Sequence, residues 1–375
     1  MSESCQINID PITDWRAVEP LWIELETRAP CSFFQSWAWI GTWLSQLPPR
    51  IQTSLVRIDA QDRLIGLAVV CTQQLQYPLF KVDGLHINET GSLDFDRLTI
   101  EYNGLLLESG HAPTLLPRIF DAFLDFGSWH ELRIGGLDAS LLPAYRQAAE
   151  TCGLDCRIRD EKPCHGVCLD ELREADAEYL STLSRNTRYQ IRRSIREYEK
   201  RGALELTVAG DMATATAFLA GLQELHQQYW TARGLPGAFS TEWVRNFHDT
   251  LLATRFPQGD IQLIRVDCGA EPIAYLYNFI REGKVYCYQS GLVYEDNSHL
   301  KPGLVAHALT IEHNLAAGMH LYDFLMGKER YKANLGNTRS DMYWLSLRRP
   351  LLRYTVHESL AALKARVRKR LAATG

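Results

Sequence analysis

The sequence holds no apolar run near the roughly 18 residues a membrane-spanning helix needs; runs such as Leu64–Cys71 fall far short. Its start, MSESCQINIDP, lacks a basic patch followed by an apolar stretch, so no secretory signal is expected and the chain reads as a soluble, cytoplasmic protein without a transmembrane segment. Positive charge is not in excess. Forty Lys and Arg against 45 Asp and Glu leave a net charge of −5, which argues against a strongly basic nucleic-acid binder while leaving room for a local basic groove. Four catalytic signatures are also missing: G-x-G-x-x-G, the P-loop, H-E-x-x-H and G-x-S-x-G. Their absence removes the commonest dehydrogenase, NTPase, zinc-protease and esterase chemistries.

The nine cysteines are odd in number and scattered, which suits reduced thiols better than a disulfide framework. Cys152, Cys156, Cys164, His165 and Cys168 form the densest group. Cys164 and Cys168 lie in a strand-like stretch, where positions four apart are about 13 Å from each other, too far to share one metal. No metal site is expected, and buried cysteines acting as small apolar residues are the better reading.

What is present is a globular composition, 46% hydrophobic and 23% charged, over 375 residues. At roughly 150 residues per domain this is about two domains. The first half alternates helices and strands, with helical periodicity over Trp15–Arg28, Phe33–Leu47, Thr114–Phe126 and Leu141–Cys152. Ser54–Ile58 and Leu64–Cys71 read as a β-hairpin, and the Gly-, Asp- and Asn-rich stretch from 73 to 110 gives no clear pattern. The second half carries a long polar helix over Tyr179–Arg201 and helices over Thr214–Arg233 and Thr241–Thr254. Three strands joined by tight turns follow (Ile261–Asp267, Ile273–Arg281, Val285–Leu292), then a helix over Gly303–Ala317 and strands over Leu321–Leu325 and Met342–Leu347. This is a mixed α/β (α+β) order, not the repeated βαβ of a doubly wound nucleotide fold. The expected division is 1–160 and 161–375.

The segment from Lys284 to Lys332 carries the functional argument. A strand ends, a loop crosses, and Pro302-Gly303 opens a helix. Gly303 removes a side chain where a ligand approaches the backbone, the first turn offers free N–H groups at the positive end of the dipole, and Lys301 adds a charge beside it. Such a start suits a pyrophosphate, although Pro near the first position is also ordinary helix chemistry.

With the following Tyr322-Asp-Phe-Leu-Met-Gly-Lys-Glu-Arg-Tyr-Lys332, this segment resembles the GNAT-type acetyltransferases of the Fem-like, tandem-domain branch, which includes acyltransferases of cellulose and exopolysaccharide biosynthesis. Phe33-Phe-Gln-Ser36 before a Trp-rich helix and Glu101-Tyr-Asn-Gly104 fit the same branch. The resemblance implies two tandem GNAT-like domains, a degenerate one followed by one holding the acyl-CoA cleft. It implies that two parallel strands splay around the pantetheine arm of acetyl-CoA or another acyl-CoA, here Val285–Leu292 and Leu321–Leu325. Ser290, Leu292, Lys301, Gly303 and Leu304 are the residues expected to hold this co-substrate. The usual Q/R-x-x-G-x-G/A pyrophosphate signature is absent, as is common in the branch, and only Gly303 and Ala306 remain of it.

Acyl transfer to an amine or hydroxyl needs a base, oxyanion donors and an acid for the leaving thiolate. Asp323 is the expected base, because strand alternation sets it with Leu321 and Leu325 and an apolar setting raises a carboxyl pKa. Tyr331 is the expected acid. Tyr288 and Gln289 are placed in the acceptor cleft, with His226, Gln227 and Tyr229 as further candidates. On the 184–201 helix Arg185, Arg188, Arg192 and Arg196 share a flank, so Arg188 and Arg192 are expected to join Lys332 in binding an anionic part of a substrate. A solvated helix with Arg–Glu pairs is the competing account. The basic run Lys364–Arg370 reads as a solvated face of a helix over His357–Leu371. The expected acceptor is a saccharide or other small metabolite of envelope assembly. Aminoacyl-tRNA, used by some members of the branch, is the alternative donor, and the net charge of −5 weighs against it. A non-catalytic binding member is the third reading.

Overall fold

The computed structural model describes residues 5–357 and 359. The first half runs β1 (Cys5–Pro11), α1 (Glu19–Glu26), α2 (Trp37–Gln46), β2 (Thr53–Ala60), β3 (Arg63–Gln76), β4 (Lys81–Ile87), β5 (Leu106–Leu107), α3 (Ala112–Asp125), β6 (Glu131–Asp138), α4 (Leu142–Thr151) and β7 (Asp155–Cys168). A helical linker follows: α5 (Leu169–Glu174), α6 (Tyr179–Thr182) and α7 (Arg185–Glu199). The second half runs β8 (Leu204–Val208), α8 (Met212–Thr231), α9 (Glu242–Arg255), β9 (Ile261–Cys268), β10 (Glu271–Arg281), β11 (Lys284–Leu292), α10 (Pro302–Ala316), β12 (Leu321–Met326), α11 (Arg330–Leu335) and β13 (Thr338–Arg348).

The long polar helix expected over 179–201 is broken. Ser184 leaves helical geometry and its hydroxyl accepts the Thr187 N–H at 3.1 Å, capping α7. The helix expected over His357–Leu371 lies almost wholly outside the described residues. Among the described residues, no helix is long and apolar enough to cross a membrane.

The two halves repeat one element order: a strand, two helices, three antiparallel strands, a crossover helix, a parallel strand, a helix and a last strand. All the strands form one sheet, ordered β1-β2-β3-β4-β6-β13-β7-β12-β11-β10-β9-β8, with β5 paired to β3. This order is a palindrome of the repeat, with one exchange at its centre. β13, last in the second half, pairs with β6 of the first, and β7, last in the first half, pairs with β12 of the second. β7 and β13 then pair with each other along their length, from Asp155↔Arg348 to Gly166↔Thr338. The division expected at residue 160 falls inside β7.

Helices cover both faces. On one face α1 and α2 share a single apolar cluster with α8 and α9, and Phe33 stacks on Phe279 with ring centres 4.2 Å apart. On the other face α3 and α4 cover the first half, and α10 with the linker helices covers the second. The exchange places Leu345 and Leu347 of β13 in the first half's core.

In each half the parallel pair holds for only three rungs before the strands separate: Gly84–His86 on Glu131–Arg133, and Lys284–Tyr286 on Leu321–Asp323. In the first half the gap is closed. Asn103 donates its side-chain amide to Ile87 O and its backbone N–H to Gly136 O, both at 2.9 Å, so one residue bridges the ends of β4 and β6. Asn88 locks the bridge by donating to Asn103 Oδ1 and Gly104 O. Among the described residues, none bridges β11 and β12 in this way in the second half.

Because β13 completes the first half's core, Leu345→Ala should lower the stability of the whole chain by about 2–5 kcal/mol in one cooperative transition. Chemical denaturation followed by far-UV circular dichroism measures this, and separate unfolding of the two halves would contradict it.

Candidate active site

The open gap leads into a cavity of about 1110 Å³. It is bounded on one side by α8 and the loop after it (Leu225, His226, Trp230, Pro236, Ala238) and on the other by the start of α10 (Lys301, Pro302, Gly303, Leu304). Because α8 and α10 pack on opposite faces of the sheet, the cavity passes through it where β11 and β12 part.

At the α10 side no side chain caps the helix start, and Pro302 has no N–H to give. The N–H groups of Gly303 and Leu304 are thus the free donors of the first turn. A Cβ on Gly303 would lie 3.0 Å from Leu292 Cδ1, so the terminus of β11 packs onto the helix start. His307, one turn on, faces the cavity, has its Nδ1 hydrogen-bonded with the Tyr322 hydroxyl (3.1 Å) and stacks on Tyr331 at 5.3 Å and 12°. Burial pushes its pKa down to about 3 and pushes the Tyr331 phenol up, so the first is a neutral imidazole and the second a protonated hydroxyl.

At the centre stands a residue from the first half. Glu101 is only 5% exposed, lines the cavity, and accepts the Met326 N–H at 2.7 Å at the end of β12. Burial raises its pKa to about 8, with the neighbouring Asp323 adding to the rise and Lys332 opposing it. Thr99 lines the cavity from the same loop, and Leu98 O accepts the Tyr288 hydroxyl at 2.7 Å. The loop that closes the first half's gap therefore builds a wall of the second half's cavity.

Of the residues singled out from sequence, Tyr288, Gln289, Ser290, Leu292, Lys301, Gly303, Leu304, Tyr331 and Lys332 line this cavity. Three do not. Asp323 is buried, but its carboxylate accepts the Tyr102 hydroxyl at 2.6 Å and the Leu325 N–H at 2.7 Å. The Asp323 side chain meets the first half and not the cavity, so it is a tie between halves with a carboxyl pKa raised by burial. Arg192 lies 3.5 Å from Glu178, and Arg188 donates to Ser181 O at 2.8 Å, both away from the cavity. They do not converge with Lys332, whose ammonium instead holds Met326 O. From α7 it is Gln190 that reaches the cavity. His226 lines it too, but its Nε2 accepts the Ala238 N–H at 3.2 Å and its Nδ1 lies 3.3 Å from Ser290 O, a clamp on the adjoining loop. All nine cysteines are free thiols, and among the described residues no group of three His, Cys, Asp or Glu is placed to hold a metal.

Residues 185–333 match the family model described as Acetyltransferase (GNAT) domain. The fold is GNAT-like in both halves. Among solved structures the chain is similar to FemX, at 12% identity and a TM-score of 0.57, over 88% of this chain and 95% of that one. It is also similar to the C-terminal domain of a putative lysylphosphatidylglycerol synthetase from Agrobacterium fabrum, at 11% identity and a TM-score of 0.54, over 94% and 97%. A protein of unknown function from Bacteroides thetaiotaomicron aligns at 9% identity and a TM-score of 0.54, over 92% and 100%. No curated protein matches the sequence.

The Glu101 carboxyl makes stability depend on pH. Its pKa is about 8 in the fold against an ordinary 4.5. The unfolded chain loses this proton first, so stability falls as pH rises from about 4.5 through about 8. Glu101→Gln should melt above the wild type at about pH 8.5 and match it near about pH 4. Equal melting at both would mean that the carboxyl is not held protonated.

Proposed function

We propose that the cavity transfers an acyl group from acyl-CoA, with acetyl-CoA as the first donor to test, to an amine or hydroxyl of a sugar or other small metabolite of envelope or exopolysaccharide assembly. The observation that carries this reading is the parting of β11 and β12 after three rungs, directly above an uncapped helix start. A helix start of this kind favours a pyrophosphate, with the Gly303 and Leu304 N–H groups as donors and Lys301 beside them. The gap admits an extended arm, and the cavity wall at Tyr288 and Gln289 leaves room for an acceptor.

In this reading Glu101 takes the acceptor's proton as its nitrogen or oxygen attacks the thioester carbon. Its pKa, near 8, suits a base that works at neutral to mildly alkaline pH. The C–S bond breaks, and Tyr331, held against His307, gives its proton to the departing sulfur. The N–H groups at the end of β12 are already taken, Leu325 by Asp323 and Met326 by Glu101, so donors to the oxyanion come from the β11 side of the gap.

Two variants test the assignment. Glu101→Gln should lower kcat by about 10²–10⁴-fold with donor affinity unchanged, and activity of the wild type should rise with pH through about 8. Gly303→Val should weaken acetyl-CoA binding by about tenfold, roughly 1.4 kcal/mol, in a protein that still folds. Thermal-shift titration with acetyl-CoA and longer acyl-CoAs reads the second. Wild-type affinity in Gly303→Val would remove the pyrophosphate from this helix, and wild-type kcat in Glu101→Gln would remove the base.

A further inference from the structure

At the mouth of the cavity three side chains form a layered stack. The Arg233 guanidinium carbon lies 3.5 Å from the centre of the Tyr229 ring, and Tyr229 stacks on Tyr294 at 4.8 Å and 30°. The stack is braced from two directions. Arg233 Nη1 donates to Tyr229 O at 3.0 Å, and Trp230 meets the Tyr229 ring edge-on at 5.4 Å and 87°. Tyr229 and Tyr294 both line the cavity, yet Tyr294 is 57% exposed. A surface tyrosine is ordinarily free to turn. This one is fixed on one face by two further layers, and its outer face has no partner among the described residues.

The position of the stack narrows what would cover that face. Tyr294 lies two residues beyond Leu292, which packs against Gly303 at the start of α10. It belongs to the loop that leads into Lys301 and the helix start, not to the Glu101 wall. Tyr294 and Gly303 line one cavity, so a ligand with a phosphate group at Gly303 and a flat ring beyond it has Tyr294 within the same site. Aromatic faces hold nucleobases by stacking, and a cation at the far end of a stack adds to the attraction.

We propose that Tyr294 is a stacking platform for the adenine ring that ends the acyl donor, backed by Tyr229 and Arg233. The inference rests on the acyl-transfer reading of the same cavity. Adenine reaches such a site from two sources, coenzyme A or the 3′-terminal adenosine of an aminoacyl-tRNA, and the test separates them.

Calorimetric titration of the intact chain with acetyl-CoA and with acetyl-4′-phosphopantetheine, which lacks the adenosine, measures the contribution of the ring. Tyr294→Ala should weaken acetyl-CoA by about tenfold and leave acetyl-4′-phosphopantetheine within about twofold. Tyr294→Trp should restore acetyl-CoA binding, and the melting temperature of each variant reports on folding. A short RNA ending in CCA forms the second arm. Loss of that binding in Tyr294→Ala, with no acetyl-CoA binding by the wild type, would uphold the platform and overturn the acyl-CoA reading. Wild-type acetyl-CoA affinity in Tyr294→Ala would overturn the platform and leave the donor cleft standing. Equal weakening of both pantetheine ligands would also overturn the platform, as would a change confined to the acceptor's KM. A wild type that binds none of the three probes would overturn both.

Discussion

The pairing of β7 with β13 at the middle of the sheet is the constraint on which the rest of the molecule depends. Each strand is the last of its own half, and each lies on the other half's side of the centre. Neither half can complete its sheet without the other's chain. β13 alone places Leu345 and Leu347 in the first half's core, where apolar burial is worth about 1.5–3 kcal/mol per large side chain. With the edges consumed at the centre, the two halves are held in one register, and side chains of one can be aimed into the other with the precision of a single domain.

That register explains the division of labour between two copies of one fold. In both halves the parallel strands part after three rungs, so each has the potential for a cleft. Asn103 fills the first, and the same loop then delivers Glu101 to Met326, Tyr102 to Asp323 and Leu98 O to Tyr288 across the boundary. Closing one cleft and equipping the other are thus one structural act. A carboxyl buried in a cavity is costly to ionise, which is why Glu101 holds its proton far above the range of an exposed glutamate. In the proposed reaction that cost is what makes it a base matched to the pH at which it works.

Much of the second half was legible in its sequence. Tight turns bound β9, β10 and β11, and Pro302-Gly303 marks the start of α10, because these depend on local backbone chemistry. The cavity-lining positions at the start of α10 follow from the same local rules, whereas those at the end of β11 rest on the family resemblance. What could not be read depends on contacts far apart in the chain. The alternation of β12 gives the face on which Asp323 lies, but not that Tyr102 covers this face from a loop more than two hundred residues earlier. Glu101 sits in a stretch without periodicity, where the resemblance of Glu101-Tyr-Asn-Gly104 marks the loop but only the fold shows its carboxyl buried against β12. The arginine flank of α7 is real as a pattern, but helical periodicity does not say which neighbours a polar face meets, and here they are Glu178 and Ser181 O. The exchange of β7 and β13 leaves no mark on either strand's own sequence.

One of two equivalent clefts is open and the other is closed by the chain itself. The stoichiometry of coenzyme A binding tests it most directly. Calorimetric titration of the intact chain should give one coenzyme A per chain. Two per chain would mean that the Asn103 bridge yields to ligand and that both halves bind, and none would remove the coenzyme from the molecule altogether.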